Sequence, residues 1–106
     1  MRKAAVLLIA GLTTIATPAI AGAPHSYTIV IDKMKFAPIP PVLHRGDTIL
    51  WVNRDLFLHS ATAANHSFDV DIRPGKSARI VLKSAGAIAF SCKYHPGMRG
   101  VLRIRP

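Results

Sequence analysis

The residues of this chain that could do chemistry are concentrated in one short segment. Within residues 92–98 (Cys-Lys-Tyr-His-Pro-Gly-Met), Cys92 offers a thiolate, His95 an imidazole and Met98 a thioether, and His59 upstream offers a second imidazole. Two imidazoles, a thiolate and a weakly bound thioether form a donor set that suits copper. Zinc would accept the thiolate and the imidazoles but prefers a further Cys, His or carboxylate to a thioether. The pattern therefore predicts one copper ion, cycling between Cu(I) and Cu(II), held by these four side chains.

The spacing of the three downstream ligands is compatible with one tight loop. Two residues separate Cys92 from His95 and two separate His95 from Met98, so a single turn can direct all three side chains inward. Pro96 fixes its own φ and stiffens the turn, and Gly97 gives the chain the freedom to swing back. A rigid site favours one-electron transfer, because an ion held between the geometries of its two oxidation states moves little.

Several of these residues also have an alternative assignment. A single Cys or Met is more often a buried apolar residue than a ligand. His66 follows His59 by seven residues and is the rival for the first imidazole. His25 is expected to be merely solvated, because Pro24 beside it blocks chelation through the backbone amide. The combination of donors, rather than any one of them, favours copper.

Composition limits the classes of protein that the chain can be. It has 106 residues, with Lys+Arg 14 against Asp+Glu 5 and a formal net charge of +9. That length allows one small domain and excludes a multidomain enzyme. Cys92 is the single cysteine, so an intramolecular disulfide is excluded. The basic residues are scattered rather than clustered in an arm or helix, which argues against nucleic acid and for an acidic protein partner.

The first 21 residues have the pattern of a secretory signal peptide. Arg2 and Lys3 precede an uncharged apolar run, and Ala19-Ile20-Ala21 provides the small residues that a signal peptidase reads. Polar residues and a proline interrupt the run too early for a membrane span of about 20 apolar residues. We therefore predict a signal peptide at 1–21, a single mature domain at 22–106 without a membrane span, and export to the periplasm.

The remainder of the chain reads as short strands separated by turns. Runs of β-branched and aromatic residues, with no helical periodicity, predict strands at 27–31, 34–37, 42–44, 48–52, 79–83, 87–92 and 101–105. Six to eight strands without helices indicate an all-β fold, a Greek-key β-sandwich. In that fold the segment 92–98 is a loop between two strands, and His59 arrives from a separate loop to close the site across one end.

The sequence also resembles the cupredoxins, the blue copper proteins, and most closely their amicyanin branch. The most specific similarity is Cys92-x-x-His95-Pro96-x-Met98-Arg99-Gly100, supported by residues 46–54 before the first histidine and by 68–69 and 73–77. The resemblance implies a cupredoxin-type sandwich and a type 1 copper site with Met98 as axial ligand. It also implies electron transfer through an exposed edge of His95.

Several positions differ from the amicyanin pattern. Ser60 and Lys93 stand where amicyanins have Asn and Thr, whose side chains join the two ligand loops, so that link is expected to be weakened or replaced. Tyr94 stands where they have proline, and its backbone N–H is a candidate donor to the Cys92 sulfur that would lower the redox potential. Gly97 replaces a bulky apolar residue, which reshapes the docking patch. The surroundings of the ligands are thus expected to involve Ser60, Tyr94 and Pro96.

The favoured function is a diffusing, monomeric one-electron carrier rather than an enzyme. The sequence offers no catalytic residues, neither a general base nor a substrate pocket, and none is needed for electron transfer. Its partners are expected to be a donor and an acceptor redox protein with acidic docking surfaces, steered by Lys93, Gly97 and Arg99 around the ligand segment. The alternative is a periplasmic protein for copper storage, delivery or resistance, which the scarcity of extra Met residues disfavours.

Overall fold

The computed structural model describes residues 3–15 and 22–106. Residues 3–15 are exposed and contain neither helix nor strand, and the first strand begins at Ser26. The predicted signal-peptide cleavage site after Ala21 lies outside the described residues. In the part of the chain that is described, no helix has the length and apolar character needed to cross a membrane.

The described residues form nine strands arranged in two sheets. One sheet has the order β2-β1-β4-β7 and the other the order β3-β9-β8-β5-β6. The strands are β1 (Ser26–Asp32), β2 (Lys35–Phe36), β3 (Leu43–His44), β4 (Thr48–Asn53), β5 (His59–Ala63), β6 (Asp69–Ile72), β7 (Ser77–Val81), β8 (Gly86–Cys92) and β9 (His95–Arg105). This all-β, two-sheet architecture confirms the fold class predicted from the sequence.

The core lies between the sheets because alternate residues of each strand are apolar. In β4, Ile49, Trp51 and Asn53 are buried while the residues between them are partly exposed, which is the period-2 pattern of a strand with one face in a core. The ring of Trp51 packs edge-on against Phe36 and Phe90, at centroid distances of 5.6 and 5.3 Å. These aromatic contacts join the two sheets beneath the end that carries the predicted ligands.

Two strands were not predicted, and both bear on the site. His59 was expected in a loop but is the first residue of β5, and β6 follows it antiparallel, so the expected six to eight strands are too few. The reason is composition: β5 reads His-Ser-Ala-Thr-Ala and β6 reads Asp-Val-Asp-Ile, and neither has the large β-branched or aromatic runs by which strands are recognised. Small residues fit β5 because it is a buried central strand that lies close to its neighbours.

The predicted ligand loop is the tip of the β8–β9 hairpin. Cys92 pairs with His95 across a two-residue turn, whereas the preceding pair joins Ser91 to Arg99. Residues 96–98 therefore bulge out of the ladder on β9, and such a bulge redirects side chains at the end of a sheet. This irregularity brings the Met98 side chain into the interior only a few residues after His95.

Candidate metal centre

Three of the predicted ligands converge at one end of the sandwich. One donor atom from each of His59, Cys92 and His95 lies within 4.8 Å of the others. The Cys92 Sγ atom is 3.8 Å from His59 Nδ1 and 3.6 Å from His95 Nδ1. The strand that starts at His59 and the hairpin tip thus deliver their donors to a common point, as the sequence predicted.

The separations suit ligands that share one ion. With a Cys–metal distance of about 2.3 Å and a His–metal distance of about 2.0–2.1 Å, as at zinc sites, and angles of about 110–120°, sulfur and nitrogen would lie about 3.5–3.8 Å apart. Met98 adds a thioether three residues after His95 on β9 and is only 5% exposed. Two imidazoles, one thiolate and a thioether fit a type 1 copper site.

Burial of the donors is unequal. Cys92 and His59 are fully buried, whereas His95 is partly exposed. The rings of the two histidines lie 4.9 Å apart at an interplanar angle of 61°. The site is therefore closed to solvent on the side of His59 and Cys92 and reaches the surface through His95.

Asp55 fixes the orientation of His59, and the sequence analysis missed it. Its Oδ2 atom lies 2.8 Å from His59 Nε2, which leaves Nδ1 directed at Cys92. Such a partner sets the tautomer and the ring angle of a metal-binding histidine. The same carboxylate accepts hydrogen bonds from the backbone N–H groups of Lys33 and Met34. Burial acts to raise the pKa of Asp55, but the hydrogen bonds from Met34, His59 and Lys33 outweigh it and hold that pKa below its ordinary value.

Asn53 organises the loop that leads to His59. It is fully buried, and its Nδ2 donates to the carbonyl oxygens of Phe57 and Ile72 at 2.7 and 2.9 Å, while its Oδ1 accepts from Asp55 N at 2.9 Å. A polar residue with all these bonds satisfied rigidifies its surroundings. The signal in the sequence was a polar run, Asn53-Arg54-Asp55, directly after the clearest buried strand.

Ser60 joins the two segments that carry the ligands. Its backbone N–H donates to Cys92 Sγ at 3.3 Å, and its Oγ accepts from Lys93 N at 2.9 Å. The link expected to be weakened or replaced is therefore replaced, with a serine hydroxyl and a backbone amide in place of two side chains. Tyr94 N, the other candidate donor to the sulfur, forms no such bond within the part of the chain that the structure describes.

Comparison with known proteins identifies the family. The chain matches the sequence profile of the cupredoxin-like domain over residues 5–104. The chain belongs to the cupredoxin family. The search of curated proteins found no match to the chain.

Solved structures agree with this assignment. The chain is similar to the reduced Cu(I) form, at pH 4, of an amicyanin mutant, with 25% identity, a TM-score of 0.61, and 82% of this chain and 87% of that chain covered. An oxidized amicyanin mutant gives 25% identity and the same TM-score, with 76% and 82% covered. A purple cupredoxin from Nitrosopumilus maritimus has 19% identity and a TM-score of 0.64, with 74% and 98% covered. In this cupredoxin, copper is the metal that the donor set fits.

Lys93, which the sequence analysis assigned to the docking surface, forms ion pairs with two carboxylates. Its Nζ lies 3.1 Å from Asp69 Oδ1 and 3.2 Å from Asp71 Oδ1, both on β6. Hydrogen bonds to Asp69 and then Asp71 raise the pKa of Lys93, and the bond from Lys93 lowers the pKa of Asp69. The Tyr94 hydroxyl donates to Asp71 Oδ2 at 2.7 Å, which raises the pKa of Tyr94 and lowers that of Asp71. The turn is thus tied to β6 by both of its residues.

Exposed apolar residues of two segments flank His95, and we call them the apolar rim. Leu56 and Phe57 are 89% and 58% exposed, and the Phe57 ring lies 6.3 Å from the His95 ring. Tyr94 and Gly97 are also exposed, on the hairpin side. The Leu56-Phe57-Leu58 run was not singled out from the sequence, although three consecutive apolar residues directly before a ligand were a readable signal.

The remaining predicted residues are distributed as follows. Pro96 and Arg99 are exposed on β9, on either side of the buried Met98. His66, the rival to His59, lies exposed in the turn after β5 with a φ of 63°. Neither His66 nor His25 joins the group of donor atoms found among the described residues.

Proposed function

We propose that this cupredoxin is a periplasmic type 1 copper protein that carries single electrons between redox proteins. The observation that carries the proposal is the convergence of donor atoms of His59, Cys92 and His95 within 4.8 Å, with the buried Met98 three residues after His95. Thiolate, imidazole and thioether are all donor types that bind copper. A site filled by four side chains leaves no position for a substrate, which favours a carrier over an enzyme.

The protein's contribution is to hold the donors still and to exclude water. Asp55 and Ser60 fix the ring of His59 and the sulfur of Cys92 through hydrogen bonds of 2.8 and 3.3 Å. Copper bound there would supply a one-electron couple whose geometry changes little on reduction. The partly exposed His95, within its apolar rim, is the route by which an electron reaches the surface, because the other donors are buried.

The cellular setting is part of the proposal. The predicted signal peptide at 1–21 supports export, and a mature domain at 22–106 contains every strand described above. The partners are redox proteins with acidic surfaces. The protein retains a strong positive charge that favours association with them at low ionic strength.

The test is to add Cu(II) to the purified mature protein, record the visible spectrum and run voltammetry. An intense thiolate-to-copper band and a reversible one-electron wave are expected. His59→Ala should abolish both, and the matched variant His66→Ala should keep both. A colourless complex that takes only Cu(I) would overturn the carrier function in favour of copper handling.

A further inference from the structure

The outward side of β9 carries a row of arginines. Alternate residues of this strand are buried in the core, as Leu102 and Ile104 show, so the residues between them face solvent. These exposed residues are Arg99, Val101, Arg103 and Arg105. At about 6.8 Å between alternate residues of a strand, the row extends for about 20 Å from the ligand bulge towards the opposite end of the sandwich.

The neighbouring strand presents only small side chains beside this row. In the β8–β9 register, Ala87 lies opposite Arg103 and Ala89 opposite Val101. An open groove of about 360 Å³ lies at the end of the strand pair nearest the ligands, where Ala89, Pro96, Arg99 and Val101 line it, and Arg103 and Arg105 continue the row beyond it. We call the outward residues of β8 and β9 the arginine face.

No acidic side chain neutralises the arginine face within residues 3–15 and 22–106. The ion pairs found there join Asp55 to His59, and Asp69 and Asp71 to Lys93. Asp69 and Asp71 lie on β6 of the same sheet, three strands away from β9 in the order β9-β8-β5-β6. At about 4.8 Å per strand this places them roughly 14 Å from the row. The outer surface of this sheet therefore has a basic edge and, far from it, an acidic pair that is already occupied.

The other sheet shows no comparable row in its described strands. On β7 the outward positions are Ser77, Arg79 and Val81, with a single arginine. Its neighbour β4 presents Leu50 opposite that arginine. Among the described strands, a row of three outward arginines therefore occurs on β9 alone, although other basic residues are scattered elsewhere on the sandwich.

We propose that the arginine face docks an extended, acidic segment of a protein partner, in continuity with the His95 edge. The guanidinium group forms paired hydrogen bonds with carboxylates, and acidic side chains on one side of an extended segment repeat at about the spacing of the row. Arg99 directly follows Met98, and Pro96 directly follows His95, so a segment seated in the groove ends beside the exposed ligand. This inference rests on the proposed function for its purpose, and it adds Arg103 and Arg105 as docking residues.

The chemistry of the face favours a protein over a membrane or a nucleic acid. Surface binding to lipid uses apolar side chains that insert between headgroups, and Val101 is the one large apolar residue in the row. Binding to single-stranded nucleic acid uses aromatic platforms, and the outward residues of β8 and β9 in this face include none.

The test measures binding of a defined acidic probe to the copper-loaded, reduced protein. The probe is a synthetic peptide of alternating Glu and Ser residues, followed by amide chemical shifts at low and high salt, with a Gln–Ser peptide as the neutral control. Shifts are expected in residues 86–92 and 99–105, and they should fade as salt rises. The double variant Arg103→Gln/Arg105→Gln should weaken binding about fivefold, and the matched double variant Lys76→Gln/Arg79→Gln less than twofold.

Each other outcome overturns the inference. Equal losses in the two double variants would mean that only net charge matters, and shifts centred on β7 would place the docking site on the other sheet. Tighter, Arg103-dependent binding to phosphatidylglycerol vesicles or to a DNA oligonucleotide would assign a different occupant. The visible absorption band and the reduction potential of the two double variants should equal those of the parent protein. A change in either quantity would report damage to the copper site, which distinguishes it from a loss of docking.

Discussion

Replacing Asp55 by asparagine should raise the reduction potential of the copper site. The carboxylate lies 2.8 Å from His59 Nε2, on the side of the ring opposite Nδ1, which faces Cys92. Its negative charge stabilises the more positive, oxidised state of the site. The asparagine amide is nearly the same size as the carboxylate, so the substitution removes the charge with little change in packing.

The magnitude follows from the distance. With a nitrogen–metal bond of about 2 Å, the carboxylate is about 7 Å from an ion bound at Nδ1. A unit charge at that distance contributes about 0.6 kcal/mol in a water-like environment and about 2.4 kcal/mol at an effective dielectric constant of 20. These energies correspond to a rise of about 25–100 mV for one electron. Loss of an oriented histidine partner should also weaken copper binding about 10- to 100-fold.

The assay is voltammetry of the copper-loaded variant, with Asp32→Asn as the matched control. Asp32 is the last residue of β1 and, like Asp55, accepts a hydrogen bond from Lys33 N. It is exposed, and none of its hydrogen bonds in the described part of the chain involves a metal-binding residue. A rise for Asp55→Asn that clearly exceeds that of the control supports the reasoning. An unchanged or lowered potential would refute the role given to this carboxylate.

Three further predictions concern packing, acid stability and the link between the ligand segments. Gly100→Ala should lower the free energy of unfolding of the apoprotein by about 1–3 kcal/mol, because a Cβ at this position would lie 2.7 Å from Phe90 Cζ. Gly97→Ala, whose Cβ would have nothing within 4 Å, should be near neutral in the same denaturant titration, and equal losses in the two variants would contradict the steric argument. Burial acts to raise the pKa of Asp47, but hydrogen bonds from two backbone N–H groups outweigh it and lower that pKa overall. The ionised carboxylate therefore stabilises the fold above about pH 3.9, the pKa in the unfolded chain, and this stabilisation is lost as the pH falls through the lower pKa of the folded protein. The urea midpoint of Asp47→Asn should fall less steeply on acidification than that of the parent, and parallel curves for the two proteins would contradict this role of Asp47. Ser60→Ala removes the acceptor of the turn's N–H and should weaken copper affinity about tenfold, as measured by competition with a chelator; unchanged affinity would show that the link is dispensable.

Much of the site could be predicted from the sequence, because the ligands are recognisable by residue type and spacing. Cys92, His95 and Met98 lie within one hairpin tip, so their proximity is local. The strand containing Trp51 was equally clear, since its alternation of buried and partly exposed residues follows a period of two. What was predicted well depended on short-range pattern.

What the sequence did not reveal depends on long-range pairing. Asp55 is recognisable as a partner of His59 only when the loop after Asn53 is folded. The ion pairs of Lys93 form only when β6 brings Asp69 and Asp71 to the hairpin turn. β5 and β6 themselves lack strand-like composition: β5 is buried between β8 and β6, and β6 is an edge strand held by its pairing with β5.

The most direct test of the account is a crystal structure of the copper-loaded mature protein, with anomalous diffraction measured at the copper edge. We predict one strong peak between His59 Nδ1, Cys92 Sγ and His95 Nδ1, with Met98 Sδ nearest on the remaining side and the protein atoms little displaced. A copper peak at another group of side chains, such as the exposed histidines, with no peak between His59, Cys92 and His95, would contradict the assignment of these residues as the copper ligands.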